Sequence, residues 1–144
     1  MDENRNLVIA IGASALFLLM ILIYAVMATG DEIDGSSWTL EHFVSDGAEV
    51  KVIDGTTLTI AFEEGGVAGS GGCNSFAGAY ESDGASISIG NLISTQQFCD
   101  VPAGTSDQEF AFFAQLDAAD NFAVDGDRLV LSNGSTELLI FQRS

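Results

Sequence analysis

The chain reads as an α+β protein, with an N-terminal transmembrane helix followed by a small, curled antiparallel β-sheet packed with one α-helix. Three observations carry that reading. Residues 7–29 contain no charged side chain. Beyond them, Asp-Gly and Asn-Gly steps recur between short runs of β-forming residues. One later segment alone breaks the β pattern and places apolar groups at helical spacing.

A helix over residues 7–29 would span about 34 Å, enough for a hydrocarbon core of about 30 Å. It is apolar on every face, whereas a surface helix of a globular domain has a polar side. Val26-Met27-Ala28 offers small residues to a signal peptidase, but signal-peptide cores run to about 7–15 residues. The run is therefore expected to stay as a single-pass anchor. Arg5 is the only basic residue near either end of it, which puts residues 1–6 in the cytoplasm and the rest outside. No cysteine precedes Cys73, so a lipid-modified N-terminal cysteine is excluded. Residues 30–36 read as a polar tether and residues 37–144 as one domain. The membrane is the expected partner of the N-terminal helix.

From Asp31 onward, 19 acidic residues face only Lys51, Arg128 and Arg143. Nucleic acid and anionic headgroups need clustered basic residues, so neither is an expected partner. The acidic surface reads as a solvated coat, with a cation-binding module as the alternative.

Asp46-Gly47, Asp54-Gly55, Asp83-Gly84, Asp125-Gly126 and Asn133-Gly134 mark turns, because these pairs enter φ > 0 readily. The flanking runs alternate or carry β-formers, as in 57–62, 86–89, 128–131 and 137–141. Ser106-Asp107-Gln108-Glu109 reads as a capping box that opens a helix through about Ala119. Phe110, Phe113 and Leu116, with Phe112 beside them, supply its apolar face. A domain of about 110 residues can hold one core and gains from a staple.

Cys73 and Cys99 could form that staple, remain buried thiols, or act as a redox pair. They have no Cys-X-X-Cys spacing and no basic neighbour to lower a thiol pKa. A structural disulfide is therefore expected, closing a loop of about 27 residues. The single histidine, His42, would have to serve any Ser-His-acid triad, yet no nucleophile elbow accompanies it. The glycines of 65–72 lack the Gly-Lys-Ser/Thr of a phosphate loop, and they read instead as close packing or a bulge. Glu63-Glu64 and Asp125/Asp127 lack an EF-hand ligand loop. No catalytic residue, cofactor or metal ligand is assigned; a hydrolase or redox enzyme is the weaker alternative.

Five elements in order resemble the META domain (HslJ-like) family from about Trp38 to Arg143. They are Trp38-Thr39-Leu40; Gly72-Cys73-Asn74-Ser75-Phe76-Ala77-Gly78-Ala79-Tyr80; Thr95 to Cys99; Glu109 to Phe112; and Gly126-Asp127-Arg128-Leu129-Val130-Leu131. The family often has Arg where Ser75 stands and a Met-rich stretch where Gln96-Gln97-Phe98 stands. The resemblance implies a small α+β domain of the cell envelope. It further implies a non-catalytic structural or interaction role in envelope maintenance or stress tolerance, and an envelope protein as partner.

Overall fold

Tight turns at positive φ and alternating apolar residues build one sheet. The computed structural model describes residues 33–144, so the cytoplasmic N-terminus expected over 1–6 and the anchor expected over 7–29 lie outside the described residues. The strands are β1 (Ser36–Ser45), β2 (Ala48–Lys51), β3 (Thr59–Glu63), β4 (Gly66–Ser70), β5 (Ser75–Asp83) and β6 (Ser86–Ser94). Helix α1 (Thr105–Ala118) follows, then β7 (Asn121–Asp125), β8 (Arg128–Asn133) and β9 (Thr136–Arg143).

All nine strands join one antiparallel sheet that closes on itself. Trp38 and Thr39 of β1 pair with β3 on one edge and with β9 on the other. His42 and Phe43 pair with β2 and β9 in the same manner, so β2 shares an edge of β1 with β3. Closure removes most exposed strand edges, the standing aggregation hazard of β proteins. The thinnest seam is β6–β7, where Ser86 faces Asn121 and two further bonds join Ile87 N–H to Asp120 O and Phe122 N–H to Ala85 O.

The sequence expectation of an α+β domain with a small sheet is thereby corrected. The domain is mostly β, a nine-stranded sheet with a single helix of 14 residues. A closed sheet buries its apolar face against itself, so one helix suffices to complete the core. No helix among the described residues is long and apolar enough to cross a membrane.

The core gathers Trp38, Phe62, Leu58 and Ile60 with Leu129, Leu131, Leu139 and Phe141, all essentially inaccessible to solvent. Helix α1 adds Phe112 and Leu116 to it. The Phe112 ring lies 5.8 Å from that of Phe76 and 6.3 Å from that of Phe141. Its inward stripe is Thr105, Gln108, Glu109, Phe112 and Leu116. Phe110, expected on the apolar face, points outward and is 78% exposed. The expected capping box is also absent. Gly104 occupies the N-cap with no side-chain cap bond, and Ser106 and Glu109 bond elsewhere.

The domain also begins earlier than Ser37. Ile33, expected in the tether, is fully buried. Asp34 Oδ1 accepts from Tyr80 Oη (2.6 Å) and from Glu64 N–H (2.8 Å), which pins the start of the domain to β5 and to the β3–β4 turn.

Candidate functional site

The sequence element Gly72 to Tyr80 folds as the end of the β4–β5 connection and the first part of β5. Gly72 takes φ +99°, a conformation open to glycine at little steric cost. The sharp bend lets Gly71 N–H donate to Asn74 O at 2.8 Å. A Cβ on Gly71 would lie 2.5 Å from Glu109 Oε2, so the loop can approach the helix only with glycine there. The peptide N–H groups of Cys73 and Asn74 consequently point at a buried carboxylate.

Glu109 receives them. Its Oε2 accepts from Cys73 N–H at 3.1 Å and Asn74 N–H at 2.6 Å, and its Oε1 accepts from Asn74 Nδ2 at 2.6 Å. Such charge-assisted bonds are about twice as strong as neutral ones. Asn74 reaches the other way as well. Its Nδ2 donates to Gln97 O (3.0 Å) and its Oδ1 accepts from Gln97 N–H (2.7 Å), so the side chain pairs with a peptide as a neighbouring strand would. Thr95 Oγ1 donates to the same Oδ1 at 2.8 Å.

The Cys73–Cys99 disulfide joins this clasp, with Cα atoms 5.8 Å apart. Ser106 Oγ both accepts from Cys99 N–H and donates to Cys99 O, each at 3.0 Å. Segment 95–101 is thus fixed to the β4–β5 connection by Asn74 and the disulfide, and to α1 by Ser106.

The remaining marked residues serve the fold around the clasp. Phe76 is buried against Phe112 and Phe113. Gly78 sits at the β5–β6 bulge, where a Cβ would meet Gly90 O at 2.8 Å. Tyr80 packs edge-on to Phe62 at 5.1 Å. Trp38 lies under the Arg143 guanidinium, 4.3 Å from the ring centroid. Gly126, at φ +59°, and Asp127 turn β7 into β8, which sends Leu129 into the core.

The META domain family matches residues 31–144. The chain belongs to the META domain family. A protein from Burkholderia xenovorans, solved by NMR, is 27% identical with a TM-score of 0.66, over 78% of this chain and 83% of that one. A second NMR structure is 19% identical with a TM-score of 0.58, over 78% of this chain and 92% of that one. A crystal structure of a DUF4847 family protein from Bacteroides vulgatus is 16% identical with a TM-score of 0.54, over 78% and 94% respectively. The last two likenesses show the fold alone. No curated protein matches the chain.

In this META domain, His42 lies on β1 and is paired in register with Lys51 of β2 and Ile140 of β9. It faces Glu49 at 4.0 Å and lines an open depression of about 270 Å³ with Glu41, Lys51, Asp54 and Thr56. Thr56 Oγ1 there donates to Ile53 O (2.7 Å) and accepts from Gln108 Nε2 (2.9 Å). Among the described residues, no three His, Cys, Asp or Glu side chains converge as a metal site would require. The sequence reading missed Asp34, Ser106 and Gln108 as anchors. Each is an ordinary polar residue whose partner is distant in the chain or set by the fold, and nothing local signals it.

Proposed function

We propose that this META domain is a non-catalytic interaction domain of the cell envelope. It works outside the cytoplasmic membrane, attached through the uncharged run 7–29, and serves envelope maintenance or stress tolerance through a protein partner.

One observation carries the reading. The polar motif residues are engaged in holding the 95–101 segment, while that segment and the helix after it present large apolar groups to solvent. Both carboxylate oxygens of Glu109 accept bonds from the Cys73–Asn74 step, whereas a general base must have a lone pair directed at substrate. Phe98, Val101 and Phe110 are 83%, 91% and 78% exposed. A rigid frame that displays apolar side chains suits binding.

Location is tested through Lys51, the only lysine in the sequence, whose side chain is 75% exposed. A membrane-impermeant amine reagent applied to intact cells is expected to modify Lys51 in the full-length protein. Modification only after permeabilisation would reject the outward placement. The partner role is tested by proximity labelling from the full-length protein in its membrane. A reproducible set of envelope neighbours is expected, and a pattern no different from an unrelated membrane-attached control would reject the role.

A further inference from the structure

Two exposed apolar residues beside the clasp, Phe98 and Phe110, fall along one side of α1. Cys99 is fixed to Ser106, which brings Phe98 to the Ser106 side of the helix. Phe110 is one turn further along the same face, because residues four apart in a helix are neighbours. The adjoining stripe, Asp107 and Ala111, lines an open groove of about 300 Å³ whose far wall is Phe43, Val50 and Ile53. Val50 is 49% exposed on β2.

The groove is held open from beneath. Gln108 Oε1 accepts from Ile53 N–H at 2.8 Å and Gln108 Nε2 donates to Thr56 Oγ1 at 2.9 Å, tying the β2–β3 connection to the helix. A Cβ at Gly104 would touch Ile53 Cδ1 at 3.5 Å, and one at Gly55 would touch Pro102 at 3.4 Å. Little further collapse is available to cover these apolar side chains.

Charge selects what can cover them. Asp100 and Asp107 are exposed among the apolar groups, and the one cation lining the groove, Lys51, already pairs with Asp54 at 3.2 Å. A second copy of the domain would bring another 19 acidic residues with three basic ones, and anionic lipid would bring phosphates. Both set like charge against like. A segment that alternates apolar side chains with Lys or Arg meets both features of the face, in the manner of an amphipathic helix laid in a groove.

We propose that the face formed by Val50 in this groove and by Phe98 and Phe110 beside it docks a basic amphipathic segment of a partner protein. The apolar side of the segment enters the groove, and its Lys or Arg residues face Asp100 and Asp107. The proposal rests on the reading of the domain as an interaction domain and names the surface and partner chemistry.

The test uses the full-length protein in zwitterionic nanodiscs, with empty nanodiscs subtracted. The probe is a helix-forming peptide of Leu, Lys and Ala with its Leu residues on one face. Its controls are a scrambled peptide of equal charge and a version with Glu in place of Lys. The amphipathic basic peptide is expected to bind at least tenfold more tightly than either control. Phe98→Ser with Phe110→Ser should reduce it to the scrambled level without shifting the melting temperature, and Asp107→Asn should weaken its salt dependence. Equal binding of the scrambled peptide, or indifference to the Phe98 and Phe110 changes, would overturn the proposal. So would oligomerisation that Phe110→Ser abolishes, or capture by anionic vesicles, since these favour a second copy or a membrane. If wild-type protein binds no peptide yet keeps its labelled neighbours in cells, this surface is rejected and the interaction reading stands. Absence of both rejects both.

Discussion

The carboxylate of Glu109 closes on Asn74 from two sides, taking the backbone N–H on one oxygen and the side-chain Nδ2 on the other, each at 2.6 Å. Both acceptor positions face donors, so Glu109→Gln must set an N–H against an N–H. We predict a loss of about 2–3 kcal/mol, the cost of a buried unsatisfied group beside a lost charged bond, read as a lower urea midpoint at unchanged m. At the third position of a capping box, Gln would serve as well as Glu. A neutral substitution would therefore return the residue to a local capping role.

Gly71 and Glu109 are coupled by contact. Gly71→Ala places a Cβ 2.7 Å from Glu109 Cγ and is expected to cost about 1–3 kcal/mol as overpacking. In Glu109→Ala that obstruction is gone, so the double variant should lose less than the sum of the two single variants. Strict additivity in the cycle would show that the cost of Gly71→Ala arises elsewhere.

The disulfide should appear as a single cross-linked peptide pair when unreduced protein is alkylated and digested. Replacing Cys73 and Cys99 together with Ser is expected to lower stability by about 3–4 kcal/mol on the chain-entropy account. Unfolding should stay cooperative, because Asn74 and Ser106 still hold the segment. Loss of the folded state on reduction alone would show that the polar clasp cannot act without the bond.

Two phenylalanines of α1, Phe110 and Phe112, should behave oppositely. Phe112 is fully buried, so Phe112→Ala is expected to cost about 3–5 kcal/mol. Phe110→Ala should stay within about 0.5 kcal/mol of wild type, as for other surface changes. Thermal melts of the two variants give the comparison, and similar losses would contradict the orientation of the helix.

The acidic surface predicts a response to salt. Folding gathers 19 acidic residues and three basic ones from residue 31 onward, and self-repulsion opposes the compact state. The screening length falls from about 8 Å at 0.15 M salt to about 3 Å at 1 M. The melting temperature should therefore climb steadily with KCl. Sub-millimolar calcium at constant high KCl should add no saturating step, as binding to a built site would. A flat KCl series with a saturating calcium response would favour a cation-binding module.

The strands β3, β6, β8 and β9 and most turns were legible because their causes are local. Asp46-Gly47 adopts φ 52° and 76° between β1 and β2, the pair of positive values that a type I′ hairpin demands. The turn at Glu64-Gly65 was not legible, since Glu is a poor resident of φ 49°. What supports it is Asp34, 30 residues away, accepting the Glu64 N–H. The helix was legible as a helix, but its facing was not. Apolar spacing selects Phe110, Phe113 and Leu116, while the buried stripe is led by the polar Thr105, Gln108 and Glu109.

By itself the sequence determined the presence of one helix among short strands, the pairing of its two cysteines, the acidic composition and the family, because composition, turn chemistry and motif order are properties of neighbours along the chain. The extent of the sheet, nine strands rather than a small one, was not among them. Tertiary structure alone decided that the sheet closes through β1 and β9. It alone decided that Glu109 serves Asn74 and Cys73 rather than its own helix end, and that Phe98, Val101 and Phe110 are left at the surface. A carboxylate goes where buried N–H groups otherwise lack partners, and those donors are set by a bend 35 residues upstream. No local pattern records that distance.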